Sequence, residues 1–276
     1  MHANLQVEVG NALSAAARRR LLSRRAEPLF LADWERALFI HYEVNAAALQ
    51  RDVPFPLDLR EGRAYVSLVA FTMRGMRFRF GGKFSEWLCR PIATHEFLNV
   101  RTYIRHRGEP GIFFLSEWLS NPLSVRIGPR TFGLPYRFGR IQYQHNFESG
   151  VLRGRVASAG TENCLRYEAE IAPDVGFNVC PESSLDEFLL ERYTAFTASS
   201  SKRRFFRIWH EPWPQVSLNV NVLEDSLIAQ TFPWFAGAKF VGANFSPGAR
   251  DVWMGRPHRV HDGGRNRRSR VFFELT

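Results

Sequence analysis

Lysine is nearly missing from this chain: Lys83, Lys202 and Lys239 are its only three, against 34 arginines. Reactions that begin with an amine attacking a ketone therefore have few places to run, because a guanidinium is too basic to act as that nucleophile. Cysteine is equally scarce. Cys89, Cys164 and Cys180 are an odd number with no close pair, which excludes a disulfide scaffold or a zinc ribbon and fits isolated thiols in a reducing compartment. Long apolar runs are lacking too. Residues 65–71, interrupted only by Ser67, fall far short of the ~20 residues a bilayer-crossing helix needs. Residues 1–27 contain no apolar stretch of the kind a secretory leader carries, so a cytoplasmic protein with no membrane partner is expected. The arginine excess reads as codon bias of a GC-rich, bacterial genome.

Familiar catalytic signatures are also missing. There is no Gly-x-Gly-x-x-Gly, no Walker A pattern, no Gly-x-Ser-x-Gly and no His-Glu-x-x-His. His95-Glu96 comes nearest to the last, but Phe97-Leu98-Asn99 follows where a second histidine should stand. No metal and no cofactor are expected.

The 276 residues are 45% hydrophobic and 14% aromatic, enough for a core that needs no covalent staple. The net charge of +10 is concentrated at the ends. Residues 1–28 hold five arginines against two acids, and residues 255–276 hold six against two, which leaves only +3 for the body. Such ends attract polyanions in a salt-dependent way, so a polyanion-binding module is one alternative, although nucleic acid is not the expected partner.

Strand formers dominate residues 37–44, 64–73, 97–107, 112–118, 141–147, 151–157, 164–172, 204–210, 216–223 and 250–254. Gly108-Glu109-Pro110-Gly111 predicts a hairpin turn, and Asn45 predicts the cap of a short helix. Helices are few. The clearest, over 185–193, starts with Ser184 and Glu187 in a capping box. The expected fold is α+β and mainly antiparallel β, a strongly curved sheet or barrel with a few outer helices. The expected organisation is a basic extension over 1–28, poorly ordered or with one or two turns of loosely anchored helix. One domain then spans 29–260, and a basic polar tail spans 261–276.

Candidate binding residues come from strand periodicity. Between residues 97 and 105, Phe97, Asn99, Arg101, Tyr103 and Arg105 share one face, while Leu98, Val100, Thr102 and Ile104 form an apolar one. The first face points either to solvent or into a lumen. In a lumen, the Asn99 amide and Arg101 guanidinium would suit a carboxylate or carbonyl ligand. A second candidate is Gly133-Leu134-Pro135, a fixed bend aiming Tyr136 and Arg137. A third is Trp209-His210-Glu211-Pro212-Trp213, which reads as an aromatic plug more readily than as a catalytic histidine.

Asn99-Val100-Arg101-Thr102-Tyr103, Gly133-Leu134-Pro135-Tyr136, residues 188–193 and His210-Glu211-Pro212-Trp213 occur here in the order found in the YqjF-like family of uncharacterised proteins, which this chain resembles from about residue 30 to 260. Trp34 with Pro54, and Phe245-Ser246-Pro247-Gly248 before Asp251-Val252, extend the likeness. The resemblance implies a fold similar to acetoacetate decarboxylase, a curved antiparallel barrel around a ligand cavity. In that enzyme a Gly-Tyr-Pro-Lys-Lys stretch supplies a Schiff-base lysine. Laid on it, Gly133-Leu134-Pro135-Tyr136-Arg137 puts a phenol at the nucleophile and Arg137 beside it, so imine chemistry is disfavoured.

The expected function is a cytosolic small-molecule-binding protein for an anionic or carbonyl ligand, with Asn99, Arg101, Tyr103, Tyr136 and Arg137 as its contacts. One alternative is a lyase or isomerase using Tyr136 or Glu96 as acid or base, or a displaced lysine, Lys239 or Lys83. A homo-oligomer is possible on sequence grounds.

Overall fold

β-Branched and aromatic residues fill the segments between glycine- and proline-rich breaks, and these segments pair into one strongly curved sheet. The computed structural model describes residues 2–172, 174–199 and 202–260, with side chains from residue 12 onward. The chain begins with α1 (His2–Leu22), β1 (Phe30–Val44), α2 (Ala46–Gln50), β2 (Ala64–Phe78) and α3 (Gly82–Cys89). A 3-10 turn, Arg90–Ile92, leads into β3 (His95–His106), β4 (Glu109–Leu119) and α4 (Pro122–Thr131). Then come β5 (Tyr136–Asn146), β6 (Val151–Ser158), β7 (Cys164–Glu170), α5 (Leu185–Leu190), β8 (Thr194–Ser199) and β9 (Lys202–Trp209). The last are β10 (Val216–Leu218), β11 (Val220–Glu224), α6 (Ser226–Thr231), β12 (Lys239–Met254) and β13 (His258–Arg259).

β1 to β4 pair antiparallel in sequence order. β12 adds to the free side of β1, β9 to β12, and β8 to β9. β8 then pairs in parallel with the first half of β4, Ile112 opposite Ala195, and the sheet closes on itself. The second half of β4 pairs in parallel with β5, Glu117 opposite Tyr136, and carries the β5-β6-β7-β11 extension outward. The fold is thus mainly antiparallel and ring-like, as expected, with two parallel contacts at β4.

Both faces of the central strands are buried. Leu38, Ile40, Val66, Leu68, Leu98 and Val100 join one apolar cluster, while Phe39, Val69, Phe71, Phe97 and Phe114 belong to a second on the opposite face. The Phe97–Tyr103 face therefore points inward and not to solvent.

Several elements differ from the sequence-based expectation. α1 is far longer than one or two turns and is tied down: the Ser14 hydroxyl donates to the His210 carbonyl at 2.8 Å and accepts from the Trp209 indole at 2.9 Å. Arg18 lies 5.1 Å from the ring centres of Trp209 and Trp253. The tail over 261–276 lies outside the described residues. β12 is far longer than the strand expected over 250–254 and runs through Pro247-Gly248, where Gly248 passes close beneath β1; a Cβ there would meet the Trp34 carbonyl oxygen at 2.2 Å. α5 ends at Leu190, three residues early, and the Glu191 and Arg192 side chains turn inward instead. α4 escapes sequence reading because Gly128-Pro129 interrupts it, although Asn121 caps it by accepting from the Ser124 amide at 2.9 Å.

Candidate functional site

A cavity of about 610 Å³ opens between the inner barrel face and α3 and α4. Its walls are overwhelmingly apolar, with Phe71, Phe114 and Phe206 among them, and Asn99, Arg101 and Glu117 form a polar end. β3 supplies Asn99 and Arg101 at alternate positions, as period-two geometry requires.

Glu117 arrives there by an irregularity. Ile112 and Phe114 face the cavity, so simple alternation would bring Ser116 in next. The β3–β4 register slips between Val100–Ser116 and Arg101–Phe114, leaving Leu115 unpaired. One extra residue flips the phase of the strand, so Glu117 points inward and stands opposite Asn99. Glu117 also stands opposite Tyr136 of β5, which makes Asn99, Glu117 and Tyr136 one row across three strands. Sequence reading did not single out Glu117, and simple alternation from Ile112 and Phe114 would have put it on the other face; a bulge leaves no reliable mark in a single sequence.

The electrostatics of the polar end are unusual. Burial pushes the Glu117 carboxyl up to about 8, only partly offset by the Asn99 amide, which donates to it at 3.5 Å. Burial lowers His210 and His95 to about 4, so both are neutral near pH 7. Two arginines reach the cavity, and they differ. Arg192 is ion-paired with buried Asp58 at 2.9 Å and lies over the Phe188 ring at 4.1 Å. Arg101 has no carboxylate within ion-pairing distance among the described residues. Its Nη2 donates to the Leu189 carbonyl at 3.0 Å, and its guanidinium lies over Phe39 at 5.4 Å. Glu191 is close enough for Arg101 to favour its charged form, yet burial, the larger effect, raises it; its oxygens accept from Tyr193 and the Trp213 amide.

Asn99 Oδ1, Arg101 Nε, Glu117 Oε2 and both His95 ring nitrogens are buried with no hydrogen-bond partner among the described residues. Such atoms carry a desolvation cost in the free protein that a ligand bearing matching donors and acceptors would relieve.

The sequence-predicted residues divide accordingly. Asn99, Arg101 and Tyr136 line the cavity together. Gly133 takes the left-handed conformation (φ +74°), and the Pro135 carbonyl accepts from the Glu117 amide at 3.1 Å; this bend delivers Tyr136 inward. Gly128 leaves room for the phenol, since a Cβ there would lie 2.2 Å from the ring. Tyr103 does not line the cavity. It sits beneath the polar end, its hydroxyl donating to the Leu189 carbonyl at 2.9 Å and lying 2.5 Å from Ser67. Arg137 alternates to the outer face, exposed over Trp118 at 5.7 Å. Glu96 likewise faces away from the cavity and accepts from Ser120 at 2.6 Å. His210 lines the cavity within an aromatic cluster, 4.9 Å from Trp213 and 4.8 Å from Tyr193. Lys83, Lys202 and Lys239 are all exposed, and none reaches the cavity. Among the described residues no cluster of three histidine, cysteine or acidic side chains could hold a metal ion, and no helix is long and apolar enough to cross a membrane.

Solved structures of acetoacetate decarboxylase-like proteins superpose on this curved, closed sheet. An acetoacetate decarboxylase-like enzyme from Sphingomonas wittichii RW1 matches with a TM-score of 0.58 at 14% identity, covering 85% of this chain and 94% of its own. Acetoacetate decarboxylase from Legionella pneumophila gives 0.56 at 14% identity, covering 84% and 87%. The enduracididine biosynthesis enzyme MppR complexed with pyruvate gives 0.57 at 14% identity, covering 87% and 93%. These likenesses establish the fold. The chain itself belongs to the DUF2071 family, described as "Uncharacterized conserved protein", whose model matches residues 31–239. It is 29% identical over 200 residues to the uncharacterized protein YqjF of Bacillus subtilis (strain 168), covering 70% of this chain and 79% of that protein.

Proposed function

We propose that this protein binds a small amphiphilic compound in the barrel cavity, a monoanion or a carbonyl compound with an apolar body, in the cytoplasm. The observation that carries this reading is Arg101: one guanidinium without an ion pair among the described residues, at the polar end of a cavity whose other walls are apolar. With Glu117 held in its acid form near neutral pH, that end has a net positive charge and offers a carboxyl proton, an amide and a guanidinium to one head group. A cavity of about 610 Å³ is far roomier than a short keto acid requires and suits a ligand of drug-like size.

A lyase or isomerase reaction on such a ligand is the second reading. Its support is Glu117, a neutral carboxyl in the same row as Tyr136, suited to lending a proton to a carbonyl oxygen. Imine formation through a displaced lysine has no such support, because no amine lines the cavity.

The test uses anilinonaphthalene sulfonate, an apolar monoanion that fluoresces when bound in a dry site. The parent is expected to bind it, aliphatic and aromatic carboxylates are expected to displace it, and Arg101→Leu is expected to bind it about tenfold more weakly with its near-UV circular dichroism intact. Equal affinity in parent and variant would remove Arg101 from the site and the reading with it.

A further inference from the structure

The mouth of the cavity is framed by α3 and α4, and both helices leave large apolar side chains in the open. Phe80, Phe84 and Trp87 are 65, 67 and 66% exposed, and Leu88, Leu123 and Ile127 are exposed beside them. Leu88 and Ile127 are both exposed and cavity-lining, so the outer patch runs without interruption into the cavity. Asn121 ties α4 to the 3-10 turn that follows α3, capping α4 with its oxygen while its amide donates to the Pro91 carbonyl at 2.7 Å.

The charges on this face are one-sided. Arg79, Lys83, Arg90, Arg126 and Arg130 are exposed on or beside the two helices, and Glu86 is the single acid among residues 79–91 and 121–131. Six exposed apolar side chains gathered at one cavity mouth mark a contact surface. The charge pattern selects between partners. Two copies meeting face to face across a twofold axis would set five cations against five, whereas an anionic lipid surface would neutralise them. Exposed aromatics flanked by arginine and lysine on short helices are the pattern of a protein that rests in the headgroup layer of a bilayer.

We propose that the α3–α4 face docks on the surface of a bilayer containing anionic phospholipid, setting the cavity mouth against the acyl chains. Docking of this kind needs no spanning segment, so the expectation of no membrane partner, which rested on the lack of one, does not bear on it. The proposal stands independently of the cavity's ligand, because it concerns only the outer face.

Co-sedimentation of the full chain with vesicles tests it. The parent is expected to pellet with vesicles of phosphatidylglycerol and phosphatidylcholine and to stay in solution with phosphatidylcholine alone. The double variant Phe84→Ala/Trp87→Ala is expected to bind about tenfold more weakly with an unchanged melting temperature, since both side chains lie in solvent. Lys83→Glu/Arg90→Glu, which leaves the aromatics in place, is expected to weaken binding similarly and to abolish its salt dependence in part. Three results would overturn the proposal. The parent could ignore the anionic vesicles. Both double variants could bind as the parent does, which would assign the attraction to the basic ends of the chain. Or the parent could be a lipid-free dimer that Phe84→Ala/Trp87→Ala converts to monomer, which would make the face a self-interface.

Discussion

Glu117 of β4 stands directly across from Asn99 of β3, its carboxyl 3.5 Å from the amide that donates to it, and its other oxygen is buried without a partner among the described residues. A carboxyl so placed is costly to ionise. That cost has a signature in pH, and the surrounding histidines add the opposite one.

In the folded protein Glu117 holds its proton up to about pH 8, whereas in the unfolded chain it releases it near 4.5. The folded state therefore binds the extra proton in that window, and stability contributed by Glu117 is lost as pH rises through it. His41, His95, His145 and His210 act in reverse: burial lowers them to about 3, 4, 4 and 4, so the unfolded chain takes up protons below about 6.5 while the folded one does not. Below pH 6.5 the four histidines together outweigh Glu117, and above about 7 the loss from Glu117 dominates. Thermal melts are expected to show maximal stability near pH 6.5, with losses on both sides. Glu117→Gln is expected to flatten the alkaline side by about 2 kcal/mol between pH 6.5 and 9. An unchanged alkaline limb would mean that Glu117 is ionised in the folded protein.

Asp58 makes a sharper stability prediction. It is buried, accepts from Arg192 at 2.9 Å, and accepts again from the half-exposed Arg105 at 3.0 Å. Asp58→Asn leaves the buried Arg192 cation without its partner and is expected to cost about 3–5 kcal/mol in denaturant titrations. Arg105→Leu removes only the solvent-screened partner and is expected to cost less than about 1 kcal/mol. Equal losses would show that the two ion pairs are equally screened.

Gly128 tests how Tyr136 is positioned. A methyl group there would lie 2.2 Å from the phenol ring, and Pro129 stiffens the helix that would have to yield. Gly128→Ala is expected to destabilise by about 1–3 kcal/mol and to displace Tyr136 from the cavity wall. Tyr136→Phe, which keeps the ring, is expected to melt as the parent does. Binding of anilinonaphthalene sulfonate in the two variants then separates the room the ring occupies from the hydroxyl it carries.

Period-two alternation along residues 97–105 was enough to put Asn99 and Arg101 on one face, because β3 is a regular strand between two neighbours and its side chains have no freedom to change sides. Strand content, the capped helix at Ser184 and the want of an amine nucleophile were likewise written in residue types and spacing. Which of the two faces of β3 was inside could not be read there, since both are apolar enough to be buried and both are. Glu117 depended on one unpaired residue in β4, and the exclusion of Tyr103 from the cavity depended on α5, which places the Leu189 carbonyl where the hydroxyl and the Arg101 guanidinium both reach it. Local sequence dictates periodicity, which is a property of one strand. Phase, closure and the company a polar group keeps arise from contacts between residues 18 to 203 positions apart, and they are decided only when the sheet closes.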